Sequence, residues 1–361
     1  MGEVELLETN SYVHLGIPCN KNLSLDENIQ ESCNKLRKTF FGLSDCGIKT
    51  NRLHTFTSKR IYESVVLSKA LYGSEMWSDI RESQILPLER IHRQCIKYIQ
   101  SIPTITRTDI SLSSLGIYPI INIIDKRKLL LLGQLCHLDS KFSIKQVFTF
   151  RLMSYLSDPK KSKGFIPDIY KILCKYALQN ALLEYVDSGV FPLINTWKKT
   201  VKAAIHKKVE FDWKNRLVSD ANISDFSFIH SSYEACMLWQ FSYIYKSLHI
   251  QCVSAFQLLC SYFSQRYAVV CDKCEICTTN LALHKVLFCT CTDAFRDKLW
   301  KGLCTDLGAN MFKDYCDLAP DLQFMEMFKG FTSFELADNT RVSCFKKFLN
   351  FVHSLHTYKR I

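Results

Sequence analysis

At 361 residues, 47% hydrophobic and 12% aromatic, the chain carries enough apolar side chains for two or three packed domains, which excludes a disordered polypeptide. Its net charge of +11, from 46 Lys and Arg against 35 Asp and Glu, favours polyanionic partners. No apolar run approaches the roughly 18 residues of a membrane-spanning helix. The acidic stretch from Met1 to Leu7 has no secretory signal, so the 17 cysteines read as reduced thiols of an intracellular protein, nuclear or cytoplasmic and not secreted.

Taken in chain order, Tyr12 to Ile17 alternates and runs into Gly16 to Pro18, which predicts a short strand and a turn. Ser24-Leu25-Asp26-Glu27 has the form of a capping box, and Ile29, Cys33, Leu36 and Phe40 follow at helical spacing. A turn around Gly42 to Gly47 ends this helix. A second helix, Thr57 to Tyr72, is expected to turn Ile61, Val65, Ser68 and Leu71 or Tyr72 inward and to close at Gly73. A third, Pro87 to Ile99, carries Leu88, Ile91, Cys95 and Ile99 on one face, with Arg90, Arg93 and Lys97 on others. After a short segment holding Leu112 and Leu115, the Pro119 to Leu138 helix is apolar on more than one side and reads as central to its domain.

Ser157 to Gly164 is polar, basic and holds Pro159, so it reads as a linker. Asp168 to Tyr185 predicts a helix that Gly189 ends. The next helix places Trp197, Val201, Ile205 and Val209 in one apolar stripe, with Lys198, Lys199, Lys202, Lys207 and Lys208 on the remaining faces. The aromatic stretch Ser231 to Tyr267 predicts two packed helices. A last helix, Thr340 to Tyr358, carries Phe345, Phe348 or Leu349, Val352 and Leu355, and ends in Lys359-Arg360.

The densest chemistry lies between Cys271 and Arg296: thiols at Cys271, Cys274, Cys277, Cys289 and Cys291, and an imidazole at His284. Soft thiolates with one neutral imidazole are what tetrahedral zinc prefers, and a C-x2-C pair brings two sulfurs to one ion from a tight turn. Cys274, Cys277, His284 and Cys289 form the working ligand set. Four protein ligands leave no position for substrate, so the zinc is structural.

The ordered series Leu15-Gly16, Leu71-Tyr72-Gly73, Glu75, Trp77, Leu88-Glu89 and Leu115-Gly116 resembles the region just after the palm of reverse transcriptases from non-LTR (LINE-type) retrotransposons. In that family a YLG strand leads into a helical thumb with a YGSE.W turn and an LE...R helix. Tyr72-Gly73-Ser74-Glu75-Met76-Trp77 matches closely, while His14 replaces the usual aromatic before Leu15-Gly16. Farther on, Trp197-Lys198-Lys199-Thr200-Val201, Ile205 and Trp213 look like the family's basic helix. Cys274, Cys277, His284, Cys289 and Arg296 look like its zinc knuckle and the Arg that follows. The six-residue loop between Cys277 and His284 is shorter than the family's by about one or two residues. Cys271 with Cys274 is therefore the competing first pair, and Cys291 is a further alternate.

The resemblance implies a mainly α chain: a thumb-like helical bundle over residues 1–140, a helical connector with the basic helix over 141–265, a small Cys/His zinc-knuckle-like module over 266–300 and a helical tail over 301–361. It implies that Arg90, Arg93, Lys97, Lys198, Lys199, Lys202, Lys207 and Lys208 face an RNA or DNA backbone. No Asp-Asp dipeptide occurs in the sequence, whereas polymerases of this family hold two magnesium ions on paired palm carboxylates. G-x-x-x-x-G-K-[ST], G-x-S-x-G and H-E-x-x-H are also absent. The reading is of a truncated C-terminal fragment that binds nucleic acid with no sequence preference and is no enzyme in isolation. Two alternatives stand beside it: an accessory chain that completes a split RNA-directed DNA polymerase by joining a separate palm chain, and a host-recruited protein-interaction module. No membrane partner is expected.

Overall fold

A computed structural model describes residues 11–21, 24–45, 53–264, 267–278 and 280–358. The protein is mainly helical, with two small antiparallel hairpins among the described residues. It divides into two compact units, each built from three separate stretches of chain. One comprises Met1–Leu43, Ile61–His92 and Tyr118–Val209, and the other Ser44–Arg60, Arg93–Ile117 and Glu210–Ile361.

In the first unit, Ser11–His14 pairs with Ile17–Asn20, so the chain reverses at Leu15-Gly16. This corrects the single strand expected from Tyr12 to Ile17. Both turn residues have positive φ, 48° at Leu15 and 79° at Gly16, as a two-residue hairpin turn of the right twist requires. The Asp26–Asp45 helix opens with the Asp26 amide donating to Ser24 Oγ at 3.2 Å and buries the predicted stripe of Ile29, Cys33, Leu36 and Phe40.

The next helix, over 55–70, includes a π turn at Tyr62–Leu67. The wider turn moves the inward stripe onto Tyr62, Val66 and Ala70 and leaves Val65, Ser68 and Tyr72 exposed, which corrects the stripe drawn for an unbroken α-helix. Leu71 is buried as expected. The Glu82–Ile99 helix begins before Pro87 and contains it.

The Ile120–His137 helix is the centre of this unit. Ile120, Ile124, Leu129 and Leu132 are buried on it, together with Asp125 and Lys128. The two buried charges are paired: Lys128 Nζ reaches Asp168 Oδ2 at 2.6 Å, and Asp125 Oδ2 accepts from Lys175 Nζ at 2.7 Å and from the Tyr176 hydroxyl at 2.8 Å. Asp168 lies on the Phe165–Lys175 helix, which stops before Gln179–Ser188 begins. The single helix expected from Asp168 to Tyr185 is thus broken, with Ala177 at φ 55° between the halves. Trp197 packs against Gly133, where a Cβ would stand 2.3 Å from the indole, and donates Nε1–H to Leu129 O at 2.7 Å.

In the second unit, Met237–Ile244 and His249–Ser264 are the two packed helices expected from the aromatic stretch. Asp293–Cys316 and His249–Ser264 both pack on the last helix, Asp338–Tyr358. Tyr315, Phe324, Phe328, Phe331, Phe345 and Phe348 fill the core between them. The buried Gln100 side chain ties this unit together: it donates to Ser111 O at 2.8 Å and accepts from Ser114 Oγ and Trp239 Nε1, each at 3.1 Å. Lys359 and Arg360 lie outside the described residues.

Candidate metal centre

The second hairpin pairs Val269 with Thr278 and Val270 with Cys277. It closes just beyond Val270, where the Cys271 amide donates to Ile276 O at 2.9 Å and the Glu275 amide to Cys271 O at 3.0 Å. Glu275 takes φ 61° to complete this tight turn. The turn is the reason a C-x2-C pair works: it folds the Cys271 and Cys274 side chains toward one point.

The opposite wall is the short Leu281–Leu287 helix. Asn280 caps it, its side-chain oxygen accepting from the Leu283 amide at 3.1 Å. One turn in, His284 directs Nε2 at Cys274 Sγ, 3.1 Å away. The chain leaves the helix with the Cys289 amide bonded to His284 O at 2.8 Å, and Cys289 Sγ then stands 3.9 Å from Cys271 Sγ.

The ligand atoms of Cys271, Cys274, His284 and Cys289 all lie within 4.8 Å of one another, and this group could hold a metal ion. Sulfurs bound to one tetrahedral zinc at about 2.3 Å stand roughly 3.8 Å apart, close to the Cys271–Cys289 separation. The first pair brought into the group is therefore Cys271 with Cys274. Cys277 sits on the hairpin strand opposite Val270, and its side chain lies outside the described residues. Cys291 is exposed, and its Sγ reaches Lys273 O at 3.2 Å instead of turning into the group.

The electrostatics suit a cation. Burial by itself would raise the Cys271 thiol, but the backbone amides of Cys274 and Lys273 and the thiols of Cys274 and Cys289 outweigh it and hold Cys271 below the ordinary thiol value. Burial pushes the Cys289 thiol up to about 12, against a smaller opposing bond from the Cys291 amide. Burial, aided by Lys285 and Arg296, pushes the His284 imidazole below its ordinary value, so it stands neutral, the form that coordinates metal. A cation would draw the protons off the thiols and remove the cost of keeping them so close.

Around the ligands lies a web that the spacing of Cys and His did not reveal. Cys289 O accepts from Thr292 Oγ1 at 2.8 Å and from Arg296 at 3.2 Å, and Thr292 Oγ1 also lies 3.0 Å from Lys285 O. Arg296 pairs with Asp293, and Lys285 Nζ with Asp272 at 2.8 Å. Arg296 thus packs against the knuckle. The Thr292 and Asp272 contacts carry no sequence signature, since the first depends on where the 3-10 turn after Cys289 places its side chain and the second on the hairpin turn that holds Asp272.

The basic residues differ in exposure. Lys198, Lys199, Lys202 and Lys207 are exposed on the Ile194–Ser219 helix, and Arg90 is exposed on its own helix. Arg93 and Lys208 are half-buried. Lys97 is a correction: it is buried, its ammonium donates to Thr104 O at 2.7 Å, and burial, with Arg93 adding, lowers its pKa. An ammonium committed to a carbonyl inside the fold is not available to a phosphate.

No protein-family model, curated protein or solved structure matches this chain.

Proposed function

We propose that the chain binds RNA or DNA through the phosphate backbone without reading sequence, and that zinc on Cys271, Cys274, His284 and Cys289 holds the knuckle in shape. The observation that carries the reading is the row of lysines on the Ile194–Ser219 helix. Trp197, Val201, Ile205 and Val209 are buried on one side, which fixes the helix and commits Lys198, Lys199, Lys202 and Lys207 to the exposed side. Such a row neutralises phosphates and carries no base readout. The likeness of the motif series to the thumb and zinc-knuckle region of LINE-type reverse transcriptases supports the same reading. Polymerisation needs paired carboxylates, and with no Asp-Asp dipeptide in the sequence the proposed activity is binding alone.

Filter binding to a mixed-sequence RNA or DNA over a range of salt tests this. The logarithm of affinity should fall linearly with the logarithm of salt, and replacing the four exposed lysines by alanine should reduce the slope by about 3. An affinity indifferent to salt would overturn it. Zinc has a separate test, a metal content of one per chain after purification without chelator.

A second reading, an accessory chain for a separate polymerase palm, is favoured by the first hairpin. Tyr12, Val13 and Leu15 are exposed there, Leu15 to 77%, leaving an apolar strip of the kind that covers a partner. On this reading, adding the chain to a palm-bearing chain restores DNA synthesis, and Leu15→Asp abolishes the restoration.

A further inference from the structure

The Ser143–Ser157 helix shows apolar side chains to solvent on every side that its own unit leaves uncovered. Its buried residues are Lys145, Phe148 and Leu152. At about 100° per residue, these occupy one narrow sector. Ile144, Val147, Phe150 and Met153 step away from that sector by about 60° each, and all four are exposed, Phe150 to 71%. Phe142 and Leu156, at the two ends, are exposed as well. Gln146 and Arg151 are exposed among them, so the band is mostly but not wholly apolar, and the helix keeps only three residues inside.

What covers it is constrained by shape and by charge. A flat lipid surface reaches only the side opposite the buried sector, which is Val147 and Phe150, and leaves Ile144 and Met153 in water. A concave wall reaches all four. The cations are Arg151, within the exposed band and bonded to Lys163 O, and Lys141, Lys160, Lys161 and Lys163 on the segments that flank the helix, against Asp139 and Asp158, which pair with Lys141 and Lys161. A second copy of the chain, docking by the same face, would set this positive rim against itself, and like charges across an interface cost several kcal/mol. A partner with carboxylates on its rim gains from it.

The geometry points to the Ser143–Ser157 helix as a docking element that inserts into an apolar groove of a partner protein, with acidic residues along the edges of that groove. This surface is separate from the lysine row and does not depend on nucleic-acid binding.

The test places the photo-crosslinker p-benzoylphenylalanine singly at Ile144, Phe150 and Met153 of the full chain, in cells that express it. All three positions are exposed, so the fold tolerates the larger ring, and circular dichroism of the purified variants checks this. The expected result is one and the same foreign protein joined at all three positions, with the cross-linked peptides bordered by Asp or Glu. Combined Arg151→Glu, Lys160→Glu and Lys161→Glu should lower the yield at least about tenfold, while alanine at Lys198, Lys199 and Lys202 leaves it unchanged. Adducts only with another copy of the chain, only with nucleic acid, or with unrelated proteins at the three positions would overturn the inference. So would sedimentation of the chain with phosphatidylserine vesicles that Phe150→Glu abolishes, or the absence of any adduct.

Discussion

Cys271 and Cys289 bring two buried thiols to 3.9 Å, and Cys274 and His284 complete the group at 3.1 Å. Removing any one of the four leaves three ligands, too few for a closed structural site. Cys271→Ser is therefore expected to lose stoichiometric zinc and to lower the melting temperature as much as chelation does. Cys277→Ser should keep both. Atomic absorption on the two purified variants decides it, and metal lost from Cys277→Ser with metal retained in Cys271→Ser would refute the assignment. A second residue-level consequence concerns Lys128, whose side chain is 2% exposed beside Asp168 at 2.6 Å. Asp168→Ala strands a buried ammonium and should cost about 3–5 kcal/mol in urea unfolding. Lys128→Met combined with Asp168→Leu, which removes both charges, should recover most of that. If the single and double changes cost the same, the charge is not what is being lost.

At the scale of elements, two glycines separate space from propensity. Gly133 lies on the Ile120–His137 helix where a Cβ would meet the Trp197 ring at 2.3 Å, whereas at Gly42, on the Asp26–Asp45 helix, it would meet nothing within 4 Å. Gly133→Ala should destabilise by about 1–3 kcal/mol through overpacking, and Gly42→Ala should stabilise by about 0.5–1 kcal/mol. Equal effects in chemical denaturation would show that the Trp197 contact does not hold the two helices together. The amphipathic stripes were readable in advance because burial follows a period of 3.6: Ile29 to Phe40, Leu88 to Ile99 and Trp197 to Val209 are all buried as spaced. Reading failed where the backbone leaves that period. The π turn at Tyr62–Leu67 displaced a stripe, and Ala177 in the left-handed region broke a helix in a sequence with neither Gly nor Pro nearby to announce it. At the metal group the residue types were legible, but that Cys271 joins it, beside or in place of Cys277, was not. Both stand three residues from Cys274, and only the turn that Glu275 completes brings Cys271 to the shared point. Lys97 misled for a related reason, since nothing in the sequence signals that the Thr104 carbonyl, seven residues on, will accept from its ammonium.

For the molecule as a whole, acid should unfold the protein before its carboxylates titrate. His230 is buried, donates Nε2–H to Ser113 O at 3.3 Å, and is held below its ordinary value of 6.5 by burial, against smaller opposing contributions from Ser113 and Glu234. Burial also lowers His54, which stands 2.9 Å from Ser242 Oγ. Both belong to the same compact unit. Because each folded pKa lies below the unfolded one, the unfolded chain takes up the proton first as pH falls. Their contribution to stability is whole above 6.5 and is lost progressively as pH drops through that value toward the lower folded ones. The net charge of +11 counts these histidines as neutral, so each proton taken up adds to self-repulsion in the same direction. Melting curves at pH 8, 7, 6 and 5.5 should show a level stretch and then a fall. His230→Gln keeps a donor for Ser113 O without a titrating ring, so it should flatten the fall while leaving the alkaline plateau near its original height. A slope that His230→Gln leaves untouched would place the acid sensitivity elsewhere. Measuring with excess zinc and again with chelator isolates the part of the fall that comes from protons competing with metal at His284, and the part that His230→Gln removes should be the same in both.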